Sequence, residues 1–388
     1  MVCGTYLLIG TILTILGPLL PEITAYFEVG YATIGGALLV SSAAYMPSVL
    51  WAGFGCARWG TRSVSTVGLL LMALGYAVAA SASCWWVFVV GLGLGGGVGF
   101  AFAEAGVNAL VMEVSDESKG AALNMLHVFA AIGAVLGPFI ARGVLALSGS
   151  WQYVYAVLSL AFCVGAAVFA IRNDLGQRTQ GGNAGPKPCW KDLASPMMAF
   201  LAAAMFFYVG TEIGLSNWIY SYAVMEVGVR AVVGASLNSL FWLGLGLGRL
   251  ASVYASERLG YERFLFCGAL GAALALLPGL VWPNAPVVVL SFFLTGFLFS
   301  GTFPTLLALG GQTFPDQNGP VSGILIFFAG VGSMVFPPAM GLLAEVRGIS
   351  YAMTLAFAGA VALVAVTAAL AWRIHRERKS GLEHARTA

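Results

Sequence analysis

Charged side chains are scarce in this sequence. Asp, Glu, Lys and Arg make up 9% of its 388 residues, and apolar residues make up 60%, whereas a soluble globular domain carries roughly 25% charged residues. The charges fall between apolar stretches of about 20–27 residues, each long enough to cross a hydrocarbon core about 30 Å thick. A transmembrane β-barrel is excluded, because its strands would alternate over segments of about 10 residues. We therefore predict an all-α protein embedded in a lipid bilayer.

Patterns typical of an enzyme or a metal site are also missing. The 6 cysteines stand singly, mostly inside apolar stretches, without disulfide or metal-ligand spacing. The sequence holds no His-Glu-x-x-His run, no Ser/His/Asp set and no soluble domain. We expect no enzymatic activity, no metal, no cofactor and no nucleic-acid partner, which argues against an intramembrane enzyme or a sensor.

Turn residues divide the apolar sequence into twelve predicted transmembrane helices. They lie at 3–25, 32–55, 62–83, 86–112, 120–147, 152–172, 196–224, 231–255, 263–282, 286–311, 319–345 and 350–373. The polar stretch 173–195 falls between the sixth and seventh spans, and its Gly181-Gly182-Asn183-Ala184-Gly185-Pro186 run is typical of a flexible linker. We predict an N-terminal six-helix bundle at 1–172, a cytoplasmic linker at 173–195, a C-terminal six-helix bundle at 196–374 and a cytoplasmic tail at 375–388.

The distribution of basic residues predicts the orientation. With both termini in the cytoplasm, all but four of the 18 Lys and Arg residues fall in cytoplasmic segments or at their edges, as the positive-inside rule requires of an even number of spans. The four are Arg142, Arg230, Arg249 and Arg347. We expect Arg142 and Arg249 to lie near span ends and to snorkel towards the surface. The prediction is a multi-pass protein of the inner cell membrane.

The two halves of the sequence repeat each other. Gly10-Thr11 recurs as Gly210-Thr211, Arg58-Trp59-Gly60 recurs as Arg258-Leu259-Gly260, and Gly133 and Pro138 recur as Gly332 and Pro337. A nearly constant offset over three regions indicates duplication of a six-helix unit. Two such units are typical of transporters whose halves rock about a site at the bilayer midplane.

The loop between the second and third spans carries a recognisable motif. Its sequence, Gly53-Phe54-Gly55-Cys56-Ala57-Arg58-Trp59-Gly60-Thr61-Arg62, resembles the major facilitator superfamily signature G-x-x-x-D-R-x-G-x-R. Ala57 stands where that family has an acid, whereas the second copy keeps one in Glu257-Arg258-Leu259-Gly260. The resemblance implies a cytoplasmic gating loop that holds the outward-facing state, formed by Gly53, Arg58, Gly60, Arg62, Glu257, Arg258 and Gly260. The alternative is a basic turn that only obeys the positive-inside rule.

Residues 91–138 resemble one family within that superfamily. Glu104-Ala105-Gly106-Val107-Asn108 in the fourth span and Leu123-Asn124-Met125-Leu126-His127 at the start of the fifth are similar to the fucose–galactose–glucose–proton symporters and the related sodium-coupled glucose carriers. Glu104 replaces the aspartate that is commoner there. The resemblance implies a sugar or sugar-like solute driven by protons or sodium. In the same stretch Gly91, Gly95 and Gly99 recur four residues apart, which predicts close contact with another helix.

Only two carboxylates lie well inside predicted spans, Glu104 and Glu212. A charge there costs several kcal/mol unless it is paired, hydrated or protonated. Glu104 and His127 lie at similar depth on neighbouring spans, and Asn108 and Asn124 lie one turn nearer the cytoplasm on the same faces. We expect these four side chains to converge. They form either a site for ion coupling and solute contact or a structural hydrogen-bonded clamp.

The second carboxylate, Glu212, lies near the middle of the seventh span on a polar and aromatic face. The candidate solute-binding residues around it are Tyr208, Thr211, Asn217 and Trp218 on the seventh span, and Asn238 and Trp242 on the eighth. Aromatic rings can stack on a sugar ring while amides and carboxylates bind its hydroxyls. The alternative for each of these residues is helix packing.

Two functions fit these patterns. The first is secondary active uptake of a small sugar-like solute by alternating access, with a proton or sodium coupled through Glu104, His127 or Glu212. The second is proton-driven export of amphipathic or drug-like compounds, favoured by the 25 Phe, 10 Trp and 12 Met residues and the few amides. In either case we expect a monomer in the lipid bilayer.

Overall fold

The computed structural model describes residues 2–115, 118–171, 190–229 and 231–387, and its regular secondary structure there is entirely helical. The helices are α1 Val2–Ile12, α2 Leu16–Phe27, α3 Tyr31–Trp59, α4 Thr61–Ala80, α5 Trp85–Leu92, α6 Phe100–Val114, α7 Lys119–Ser148, α8 Gln152–Ile171, α9 Trp190–Leu193, α10 Pro196–Met225, α11 Ala231–Leu259, α12 Tyr261–Val281, α13 Ala285–Phe299, α14 Thr302–Thr313, α15 Asn318–Arg347 and α16 Ile349–Thr387. Most of the predicted linker lies outside the described residues.

Within the described residues, 10 helical segments are long and apolar enough to cross a membrane, and each coincides with a predicted span. The first predicted span is instead two helices, α1 and α2, separated at residues 13–15. The eighth predicted span is α11, which is 29 residues long.

Two glycines of the repeated motif end one helix and begin the next. Gly60, between α3 and α4, has φ +82°, and Gly260, between α11 and α12, has φ +79°. Glycine adopts this region without the steric cost that a Cβ would bring. Because both copies of the motif have the same backbone turn, both have a physical reason to keep glycine at this position.

The chain divides into two compact units. Unit 1 comprises Met1–Glu117, Met125–Cys189 and Phe314–Phe327, and unit 2 comprises Ser118–Asn124, Trp190–Thr313 and Phe328–Ala388. The first residues of α7 therefore pack within unit 2, and the first residues of α15 pack within unit 1. The bundle boundaries placed at the linker from sequence stay a prediction.

The fourth span contains a segment that sequence periodicity did not predict. Between α5 and α6, Gly93–Gly99 forms a π-helix of 7 residues. On one side of the span Gly91 approaches the backbone of Ala79, and Gly99 approaches that of Met72, so tightly that an added Cβ would lie 2.6 Å from the amide nitrogen of each. The predicted close helix contact is confirmed. Because a π-helix is wider than an α-helix, it also changes the face on which the residues of α6 lie relative to α5.

Candidate functional site

Glu104 on α6 lies in unit 1 among polar side chains of α1, α3 and α7, a group here called the Glu104 pocket. The hydroxyl of Tyr45 on α3 donates a hydrogen bond of 2.6 Å to its carboxylate. One turn along α6, Asn108 is fully buried, and its amide donates to the Glu104 carbonyl oxygen at 2.9 Å and to the Tyr6 hydroxyl of α1. The Tyr6 ring packs edge-on against His127 of α7, with ring centroids 5.2 Å apart.

The two salt bridges that the structure shows, Arg142 with Glu22 and Arg249 with Glu212, do not include Glu104. Two phenol hydroxyls interact with its carboxylate, since Tyr45 donates a hydrogen bond to it and Tyr6 interacts with it electrostatically. Burying an uncompensated carboxylate in a membrane costs several kcal/mol. A negative charge on Glu104 is therefore costly at this position.

The predicted convergence of four side chains occurs for three of them. Glu104, Asn108 and His127 are gathered around Tyr6. Asn124 is fully buried in unit 2, where its amide donates to the Gly120 carbonyl oxygen at 2.8 Å and lies 3.5 Å from the Thr305 hydroxyl.

Glu212 lies in unit 2 beside a buried arginine. The Arg249 Nη2 is 3.9 Å from the Glu212 Oε1, and the two side chains are 13% and 8% exposed. The Tyr208 hydroxyl interacts electrostatically with both charges. Glu212 is thus paired with a permanent cation, unlike Glu104, and the two carboxylates have different chemistry.

The expectation that Arg249 snorkels from a span end is wrong. Helix α11 continues to Leu259, so Arg249 lies ten residues, or about 15 Å, inside that end. Its length does not bring the guanidinium to the surface from that depth, and Glu212 compensates its charge instead. The Arg142 side chain is 65% exposed and lies 3.7 Å from Glu22, and its snorkelling stays a prediction.

The other residues predicted near Glu212 lie in varied surroundings. Thr211 is fully buried with its hydroxyl facing Gly359 of α16. The Trp218 indole donates to the Pro337 carbonyl oxygen at 3.1 Å, and Asn217 is exposed. The Ser216 hydroxyl, also on α10, donates to Asn238 of α11 at 3.1 Å and accepts from the Trp242 indole of α11 at 2.9 Å. None of these contacts includes Glu212, and a solute-binding role for these residues stays a prediction.

The sequence matches the family model of the Major Facilitator Superfamily over residues 2–241 and 226–388. This chain belongs to that superfamily. The family and its solved relatives are transporters rather than enzymes, are embedded in membranes and bind small-molecule solutes, so the chain is a multi-span membrane protein of this type. Recognition of the superfamily from the sequence motif is confirmed.

Solved structures confirm the predicted fold of twelve transmembrane helices in two six-helix bundles. The crystal structure of FucP in the outward conformation has a TM-score of 0.83 at 19% identity and covers 95% of this chain and 97% of that one; a variant of the same protein is described as the E. coli fucose:proton symporter. The human organic anion transporter MFSD10 has a TM-score of 0.74 at 16% identity, covering 94% of this chain and 97% of that one. At these identities the likeness shows the fold alone.

Sequence relatives cover different shares of the chain. TsgA of Shigella flexneri is 22% identical over 381 residues, which is 97% of this chain and 94% of that protein. The human major facilitator superfamily domain-containing protein 4A is 30% identical over 149 residues, or 38% of this chain. The match spans only 29% of the length of that human relative.

The first copy of the gating motif in this major facilitator makes several contacts within unit 1. Arg62 donates to the Phe169 carbonyl oxygen at 2.9 Å and to that of Ala170, so it caps the last turn of α8, where a cation is favoured. The Glu113 carboxylate of α6 accepts a hydrogen bond of 2.8 Å from Thr61. An acid therefore lies beside the loop in which Ala57 has replaced one.

Two other residues of that copy have different surroundings. Gly53 packs against α15 so closely that an added Cβ would lie 2.6 Å from the Gly323 Cα. Arg58 is exposed. The first copy therefore combines a close backbone contact with one exposed cation, and its role in gating stays a prediction.

The second copy caps the start of α7. The Glu257 carboxylate accepts hydrogen bonds from the Ala121 amide at 2.9 Å and from the Tyr261 hydroxyl at 2.8 Å. That hydroxyl in turn accepts from the Gly120 amide at 2.8 Å. Helix N-termini have unpaired amides and a partial positive charge, so an acid stabilises them. Arg258 is exposed and takes no part in this cap.

Removing the cap is expected to loosen the start of α7. In Glu257→Ala the Ala121 amide loses its acceptor, which costs about 1.5 kcal/mol for a charge-assisted bond, so its hydrogen exchange accelerates about tenfold. Hydrogen–deuterium exchange of the peptide covering 118–126 measures this. Arg258→Gln, the exposed neighbour, is the control and leaves the rate unchanged. Equal exchange in Glu257→Ala and the wild type would show that the cap contributes nothing.

Sequence reasoning missed three residues of these sites. Arg249 had a detectable signal, because it lies more than two turns before the Glu257-Arg258 turn and is therefore deep in the span. Tyr6 and Tyr45 had none, since a tyrosine in an apolar helix is also typical of a membrane-interface residue. Their role depends on which neighbour their hydroxyls reach.

Proposed function

We propose that this major facilitator is a secondary active transporter that takes up a small, sugar-like solute by alternating access, driven by a cation bound at Glu104. The observation that carries the proposal is a carboxylate deep in a span whose one described hydrogen-bond donor is the Tyr45 hydroxyl. A negative charge held there is costly. The cycle is therefore favourable when Glu104 binds the cation from one side of the membrane and releases the cation to the other side.

The ligands around Glu104 support a proton over sodium. Its carboxylate has one close described donor, the Tyr45 hydroxyl at 2.6 Å, and hard metal cations prefer several oxygen ligands at once. No group of three or more His, Cys, Asp or Glu suited to a metal ion occurs in the described part of the chain. A single proton needs only the carboxylate itself.

The same pocket offers hydrogen-bonding groups for a polyhydroxyl solute. The Asn108 Oδ1 is buried and has no hydrogen-bond partner among the described residues, so it can accept from a solute hydroxyl. Tyr6 and Tyr45 add hydroxyl groups and aromatic faces beside it. The resemblance of residues 91–138 to sugar symporters and the fold shared with a fucose:proton symporter also support a sugar-like solute.

Uptake into proteoliposomes tests the proposal. Radiolabelled fucose, galactose and glucose are offered under an inward proton gradient and, separately, under an inward sodium gradient. We expect accumulation of at least one of these solutes under the proton gradient, and its loss when a protonophore is added. If no sugar accumulates under either gradient and a hydrophobic cation is expelled instead, the protein is an exporter and the proposal is wrong.

We also propose that both termini face the cytoplasm, as the basic residues favour. Cys84, exposed and directly before α5, then lies on the outside. A membrane-impermeant maleimide is expected to label intact cells, and Cys84→Ser is expected to remove the label. The buried Cys56 is the internal control. Labelling that appears only after the cells are permeabilised contradicts this orientation.

A further inference from the structure

The ion pair between Arg249 and Glu212 leaves much of its hydrogen-bonding capacity unused. Its closest approach is 3.9 Å, whereas hydrogen-bonded guanidinium and carboxylate groups lie about 2.7–2.9 Å apart. The Arg249 Nε and the Glu212 Oε1 are both buried without a hydrogen-bond partner among the described residues. Glu212 therefore balances the charge of Arg249 without using the fork of donors that a guanidinium presents.

The surroundings of Arg249 favour an added acceptor rather than a closed structural bridge. The Tyr208 hydroxyl is fully buried and interacts electrostatically with both charges, yet it forms no hydrogen bond of normal geometry. Three polar side chains from α10 and α11 thus meet with unmet hydrogen bonds. Arginine is permanently charged, and its planar fork matches a carboxylate in a bidentate fashion.

We propose that Arg249 recognises an acidic group of the solute, so that the transported compound is a small carboxylate such as a sugar acid. Without solute, the Glu212 carboxylate is paired with the Arg249 guanidinium. A bound solute carboxylate replaces Glu212 as the partner of Arg249, and the Tyr208 hydroxyl donates a second hydrogen bond to the solute. This inference rests on the proposed transport of a sugar-like solute and specifies its chemical class. It gives the two partners of the pair opposite roles, since Arg249 attracts the solute and Glu212 competes with it.

Opposite roles distinguish this proposal from a purely structural ion pair. If the pair only holds α10 to α11, removing either partner leaves the other charge buried and destabilises the protein, with no preference for a solute. If Glu212 competes with the solute, Glu212→Gln instead strengthens anion binding while Arg249→Gln abolishes it. The direction of the two changes, rather than their size, decides between the two roles.

Binding to the purified full-length protein, measured by isothermal titration calorimetry, tests the proposal. The probes are galacturonate and glucuronate, each compared with its neutral parent, galactose or glucose. We expect the wild type to bind a uronate on the order of tenfold more tightly than its parent hexose. Arg249→Gln is expected to remove this preference, and Glu212→Gln to tighten uronate binding several-fold. Arg142→Gln, which removes an exposed arginine, is the matched control and changes neither.

A folding defect is separated from a binding defect by thermal unfolding. In Glu212→Ala the truncated side chain leaves space beside Arg249, so acetate is expected to raise the melting temperature of this variant and not that of Arg249→Gln. Equal affinity for hexose and uronate in the wild type, unchanged uronate binding in Arg249→Gln, or no effect of acetate on Glu212→Ala would each overturn the inference.

The inference and the proposed function can fail separately. Accumulation of a neutral sugar with no binding of either uronate would retain the proposed function and refute the role of Arg249. Uronate binding that depends on Arg249, without accumulation of any solute, would support the role of Arg249 and refute coupled uptake.

Discussion

Replacing Glu104 by glutamine is expected to abolish gradient-driven accumulation while solute exchange continues. Glutamine keeps the shape of the side chain and its hydrogen bond with Tyr45, but it cannot bind or release a proton. The variant therefore always resembles the protein with a protonated Glu104. In that state the solute binds and the binding site can open to either side of the membrane. Without coupling, the ratio of internal to external solute falls to about 1, because a gradient of ten requires about 1.4 kcal/mol of driving free energy.

Two assays on the same proteoliposomes separate these outcomes. Uptake under an inward proton gradient measures accumulation, and counterflow with unlabelled internal solute measures exchange. Glu226→Gln removes an exposed acid at the end of α10 and is the matched control, with both activities retained. Tyr45→Phe removes only the 2.6 Å hydrogen bond to the carboxylate, and we expect it to weaken accumulation without abolishing it. Normal accumulation by Glu104→Gln would show that the coupling cation binds elsewhere.

Replacing Gly133 by alanine is expected to destabilise the packing of α1 and to impair the Glu104 pocket. At this position a Cβ would lie 2.9 Å from the Thr11 amide nitrogen and closer still to the Leu7 carbonyl oxygen. Backbone atoms cannot move aside as side chains do, so α1 must shift as a whole. Overpacking of this kind costs about 1–3 kcal/mol. Because α1 carries Tyr6, which contacts Asn108 and His127, transport is expected to fall with stability.

Gly143 supplies a matched control on the same helix. A Cβ there meets no atom within 4 Å, so Gly143→Ala leaves the packing intact and adds about 1 kcal/mol of helix propensity. Unfolding in mixed micelles with increasing denaturing detergent measures both variants. We expect the midpoint to fall for Gly133→Ala and to stay or rise for Gly143→Ala. Equal unfolding midpoints for the two variants would mean that α1 and α7 can move apart at Gly133 without loss of stability.

Much of this fold was accessible from the order of residues. Spans, loops and the repeat depend on hydropathy and turn residues that act locally, and Gly60 and Gly260, which match in the repeat, have the same backbone turn. The break between α1 and α2 was not predicted, because the apolar sequence continues through it. Helix α11 was predicted too short by four residues, which misplaced Arg249 near the surface.

The candidate sites were accessible only in part. Glu104 and Glu212 stood out because a carboxylate in an apolar span is costly wherever it lies. Their partners did not stand out, since Tyr45 and Tyr6 reach the Glu104 pocket from helices far away in the sequence. The π-helix Gly93–Gly99 adds to the difficulty, because its wider turns change the phase between α5 and α6.

Scarcity of charge, the spacing of apolar stretches and the repeated motif determined by themselves that this protein is a helical membrane transporter of the major facilitator type. These properties can be read from the linear sequence without knowing which helices contact each other. Tertiary structure alone decided that the Glu104 carboxylate accepts a hydrogen bond from the Tyr45 hydroxyl while Glu212 faces Arg249. That difference depends on helix rotation and packing, and it is the reason for the separate roles that we propose, cation coupling at Glu104 and competition between Glu212 and an acidic solute for Arg249.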